Sequence, residues 1–80
     1  MNTAENYYET SDLGLAAALL ACNVLLVRVN KENPRRAVFV FVESTEVNSL
    51  VQEYWNGSLA VGALGYFENT KRLKSRIYGE

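Results

Sequence analysis

Histidine is absent from this chain, cysteine and proline occur once each, and neither sign of charge dominates. Without an imidazole, the commonest general base and the commonest metal ligand are both missing. Zinc sites, Ser-His-Asp triads and Cys-His pairs are thereby excluded by inventory. The single cysteine, Cys22, can close no internal disulfide, and its place in an apolar run reads as a small buried hydrophobe. The remaining acids and bases are carboxylates, tyrosines and lysines, and none stands in a spacing that pairs them. No enzyme and no cofactor is expected.

Long apolar runs are also missing. The stretch 13–20 is too short for a membrane helix, which needs ~20 apolar residues. Residues 1–12 carry Glu5, Glu9 and Asp12 and no cation, unlike the basic leader of a signal peptide. A cytoplasmic protein is expected, and the sequon Asn56-Gly57-Ser58 then carries no meaning. Eight cations against nine acids leave a net charge of −1, which excludes strong non-specific attraction to nucleic acid by the chain as a whole.

What is present is an ordinary globular composition, 49% hydrophobic and 21% charged, over 80 residues. That is one domain, residues 1–80, with residues 1–6 expected to fray. The chain is organised around Val38-Phe39-Val40-Phe41-Val42. Every residue there is β-branched or aromatic, so the stretch predicts a strand. Both alternating faces are apolar, so both should be covered. Residues 24–29 predict a second strand, joined through the polar connector 30–34 to residues 35–42 as a hairpin.

Three helices complete the expectation. Residues 13–22, capped by Ser11 or Asp12 and followed by Asn23, form a helix that is apolar all round and must be buried. Residues 45–56 start at Ser44 or Thr45 and end at Gly57, with Val47, Leu50, Val51 and Tyr54 on one face. The last helix runs from Gly62 or Ala63 to Tyr78, with Ala63, Tyr66, Phe67, Thr70, Leu73 and Ile77 inward and a Glu68–Arg72 pair outside. Tyr7-Tyr8-Glu9-Thr10 is expected to be extended, with its rings on the core. The fold class is α+β, in the order α-β-β-α-α: an antiparallel β-hairpin packed with three helices.

Three features could carry function. Lys71, Arg72, Lys74 and Arg76 lie within six positions of a chain that is otherwise acidic, and they offer an anion-binding face. The bland account is that cations suit a helix C-terminus and keep a surface soluble. Arg35 and Arg36 stand at the strand entrance, where alternation sends them to opposite faces. They could guard a hairpin edge or contribute one guanidinium to a site. Tyr54 and Trp55 suit core packing, an interface, or a stacking platform for a base. Gly62-Ala63-Leu64-Gly65 has the spacing of some phosphate loops, without the basic residue such loops need.

Tyr8-Glu9-Thr10-Ser11-Asp12-Leu13, the run Leu15-Ala16-Ala17-Ala18-Leu19-Leu20, and Asn33-Pro34-Arg35-Arg36 before Val38-Phe39-Val40-Phe41 together resemble a small prokaryotic and phage domain family of unknown function. Tyr54-Trp55-Asn56-Gly57 and Leu73-Lys74-Ser75-Arg76-Ile77-Tyr78 extend that resemblance over nearly the whole chain. It implies no activity. Gly62 and Gly65 depart from the pattern, where helix-favouring residues are implied.

The expected function is a non-catalytic accessory module that binds nucleic acid or phosphate weakly through the basic last helix. The alternatives are a protein-interaction or oligomerisation module and a sponge for a small phosphorylated nucleotide. A homodimer or larger assembly is expected, because the apolar helix and the two-faced hairpin exceed what ~80 residues cover alone.

Overall fold

The computed structural model describes residues 6–78, so most of the leader expected to fray lies outside the described residues. The elements run β1 (Tyr7–Thr10), α1 (Leu13–Ala21), β2 (Leu26–Asn30), β3 (Val38–Val42), α2 (Thr45–Asn56) and α3 (Ala63–Tyr78). This is an α+β domain with three helices and one antiparallel sheet of three strands in the order β1-β3-β2. The shortest dimension, 18 Å, accommodates a sheet and one helix layer.

The expected hairpin is therefore two-thirds of the sheet. Tyr7–Thr10, expected to be extended, pairs with the free edge of β3, matching Tyr7 to Val42 and Thr10 to Phe39. Its composition alone could not announce this, because four residues hold a strand only when a neighbour supplies the ladder. On the other edge, β2 pairs with β3 from Leu26 opposite Phe41 to Asn30 opposite Val38. The register slips between Leu26 and Arg28, which leaves Val27 as the extra residue of a bulge.

Local signals place the helix ends. Asp12 caps α1, its Oδ1 accepting the Leu15 N–H at 2.9 Å. At the other end the Val24 N–H reaches the Leu19 carbonyl at 3.0 Å and the Asn23 N–H reaches Leu20 at 2.9 Å. Asn23 sits at φ 68°, the left-handed position such a Schellman closure requires. Ser44 caps α2 by accepting from Val47, and Gly57 at φ 78° closes it.

The core lies between the helices and one face of the sheet. Leu15, Ala16, Ala17, Leu19, Phe39, Phe41 and Leu73 are fully buried there. Helix α1 is covered by its own chain, so it supplies no reason for a second copy. Cys22, at its end, is only half-buried. The stripe of α3 departs from expectation at Ala63 and Phe67, which are exposed, while Tyr66, Leu73 and Ile77 face inward. Nine residues of α1 are too few to cover sixteen of α3 along its whole length. The expected Glu68–Arg72 pair is replaced by a contact from Arg72 Nη1 to Asn69 Oδ1 at 3.3 Å.

Candidate functional site

Strand β3 begins only at Val38, so Arg35 and Arg36 belong to the connector and not to a pleated strand. Alternation does not act on them, and they are not sent to opposite faces. The connector is shaped by Asn33, whose Oδ1 accepts the Arg35 N–H at 2.9 Å and whose carbonyl accepts the Arg36 N–H at 3.1 Å. That Asx turn folds the chain back on itself before the strand starts.

Both arginines line one open cleft of about 250 Å³. Ser11 and Leu13 contribute to it from the start of α1, Phe39 from β3, and Ile77 and Tyr78 from the end of α3. Arg36 Nε donates to Ser11 Oγ at 2.9 Å, which anchors one edge of the guanidinium. Arg36 also borders a shallower hollow with Glu9, Thr10 and Val38. Ser11 had been a candidate helix cap; Asp12 takes that role, which frees the Ser11 hydroxyl for the arginine.

The connector also meets the last helix directly. Lys31 Nζ donates to the carbonyl of Arg76 at 2.9 Å, placing a cation on the negative end of the α3 dipole. Lys71, Arg72, Lys74 and Arg76 are all exposed. The helical period spreads them over three rows. Lys71 stands above the Phe67 ring at 5.3 Å, Arg72 and Arg76 share a second row, and Lys74 shares a third with Tyr78. None of the four lines the cleft, which α3 reaches through Ile77 and Tyr78, so they do not form a single patch with the arginines.

Tyr54 and Trp55 fall apart as a pair. Tyr54 packs half-buried on the core, while Trp55 is 60% exposed and meets the Tyr54 ring edge-on at 5.0 Å. Trp55 does not line the arginine cleft, so no stacking platform joins the arginines there. The G-x-x-G segment cradles nothing, since a Cβ at Gly62 or Gly65 would meet no atom within 4 Å.

A second polar cluster escaped the sequence reading. Around Gly14 gather the hydroxyls of Tyr54 and Tyr66 and the Asp12 carboxylate, at 2.6, 3.0 and 3.3 Å from where a Cβ would stand. Burial pushes the Tyr54 hydroxyl above its ordinary 10.0, with the negative charge of Asp12 adding to it. Tyr8 is raised in the same way, by burial and then by Asp12. The site made by Asp12, Tyr54 and Tyr66 fastens α2 and α3 to the start of α1. Tyr66 stood in the stripe and Asp12 among the candidate caps, but nothing local says that they meet.

Among the described residues no group of three or more metal-ligating side chains converges. No helix among them is long and apolar enough to cross a membrane. No curated protein and no solved structure matches the chain. A family profile does match, over residues 5–79, and the chain belongs to that family: Domain of unknown function (DUF5659).

Proposed function

We propose that the domain is a non-catalytic module that binds nucleic acid weakly, through its phosphates, at the arginine cleft and along α3. The observation that supports this reading is the convergence of Arg35, Arg36 and the end of α3 on one cleft. The cations there and nearby hydrogen-bond neutral groups: Arg36 to a serine hydroxyl, Lys31 to a carbonyl, Arg72 to an amide oxygen. Their charge therefore remains available to an anion. A net charge of −1 does not oppose this, because attraction beyond ~8–10 Å is screened at cellular salt. Nothing in the cleft reads base edges, so binding is non-specific and salt-dependent. The cleft is below the ~300 Å³ at which small-molecule pockets begin, which favours a backbone phosphate over a whole sequestered nucleotide. The family resemblance suits a role in a bacterium or phage.

Anisotropy titration of single- and double-stranded oligonucleotides at low and high salt tests the reading. Binding at low salt should weaken when Arg35 and Arg36 become alanine. It should weaken further when Lys71, Arg72, Lys74 and Arg76 are also replaced. Each lost phosphate contact should lower the salt slope by about one. Absence of binding at low salt, or binding untouched by those replacements, removes the reading and leaves a protein-interaction module.

A further inference from the structure

The sheet has a second face, and register with alternation identifies it. Tyr7, Glu9, Val38, Val40, Val42, Arg28 and Asn30 stand on the side opposite Phe39 and Phe41. None of these seven belongs to the core cluster or to its packed surround. Leu25 and the bulged Val27 extend the same side. Four large apolar residues are exposed there: Tyr7 at 45%, Leu25 at 80%, Val27 at 42% and Val42 at 36%.

Val40 is nevertheless at 0% exposure in the middle of this face. Arg28 accounts for that. It starts on the β2 edge, yet its guanidinium carbon lies 5.9 Å from the centre of the Tyr7 ring on the β1 edge. Stem and ring together span β3, and Val40 is the residue Arg28 pairs with there. The guanidinium and the Tyr7 ring thus meet over β3, beside Val42, the residue Tyr7 pairs with. Glu9 stands on the same side one row along, opposite Val40.

We propose that this face binds a second copy of the chain, in a weak two-fold dimer of stacked sheets. The charges select that occupant. An isologous interface must be complementary to itself. A two-fold axis running across the strands between the two rows puts each copy's Glu9 opposite the other's Arg28. The same operator exchanges the two rows, so Val42 comes over the partner's Val40, while Val27, between the rows, lies close to the axis, in the ~10 Å spacing of stacked sheets. Three strands present a face only ~15 Å wide, so the contact sits at the small end of specific interfaces. Association is therefore concentration-dependent in the micromolar range. This interface lies on a different side of the sheet from the helices and does not depend on nucleic-acid binding.

Sedimentation velocity of the full chain across a micromolar concentration series is the test, with circular dichroism to confirm folding. The weight-average mass should rise from one chain toward two. Glu9→Arg alone and Arg28→Glu alone each bring like charges together and should weaken the dimer by about tenfold or more. The double variant restores opposite charges and should recover it. Val27→Asp, on the same face but outside the charge pair, should also dissociate it. A chain that stays single at every concentration overturns the proposal. So does a dimer that ignores the single charge reversals, or a double variant no better than either single one.

Discussion

The two faces of the three-stranded sheet draw on similar residues, and only one of them has helices on it. Phe39 and Phe41 point into a layer made by α1, α2 and α3 and are sealed. Val38, Val40 and Val42 point the other way, where no helix packs among the described residues and Arg28 meets the ring of Tyr7. An apolar strand therefore states how much surface needs covering and says nothing about what does the covering. Helices cover the first face with many fixed contacts. A long cationic side chain covers part of the second, and it can be displaced.

The largest effect should come from the sealed face. Phe41→Ala removes a fully buried ring and should cost about 3–5 kcal/mol, read from urea unfolding. In a domain this small that is enough to leave much of it unfolded. A loss near zero would mean that the helices do not seal the sheet as described.

The helix layer itself is tested at Gly14. A methyl group there would approach the Tyr54 hydroxyl at 2.6 Å and the Tyr66 hydroxyl at 3.0 Å. Gly14→Ala should cost about 1–3 kcal/mol by overpacking, although alanine is ordinarily the better helix former. A gain in stability would show that the tyrosines are free to retreat.

Two tyrosines and the cysteine predict alkaline sensitivity. Tyr54 and Tyr8 ionise above their ordinary 10.0 in the folded state, and Cys22 above its ordinary 9.0, burial being the first cause for each. The folded state then binds more protons than the unfolded chain, so stability falls as pH rises. The stabilisation is whole below about pH 9 and is lost upward through the raised values. Urea midpoints between pH 8 and pH 11 should decline, and Tyr54→Phe should flatten the decline.

The smallest effect belongs to the open face. Val42→Thr at dilute concentration should change stability by no more than about 0.5 kcal/mol, because Val42 is partly exposed and belongs to no core cluster among the described residues. The same substitution should weaken self-association measured by sedimentation. A large loss in the dilute monomer would instead mean that the chain already covers this face.

Much of this was legible locally. The caps Asp12 and Ser44, the closing positions Asn23 and Gly57, and the stripe Val47, Leu50, Val51 and Tyr54 are all i to i+4 statements. They hold because helix ends and helix faces are decided within one turn. The strand Val38–Val42 was readable from β-branched and aromatic composition. Arg35 and Arg36 were named as candidates, but their placement was misread, because pleated alternation was applied to residues that an Asx turn holds outside the strand.

What the sequence by itself determined is the three helices and the two strands of the hairpin, the burial of α1 and the absence of an imidazole. Tertiary structure alone decided that Tyr7–Thr10 joins the sheet, that Val27 bulges and that Phe67 turns outward. It also decided that Ser11 holds Arg36 and that Asp12 meets two tyrosines from later helices. Each of these depends on pairs far apart in the chain, the Ser11–Arg36 contact spanning 25 residues. Local propensity carries no information about which distant segment arrives. Such contacts form only when packing the whole core offsets the entropy of closing the loops between them.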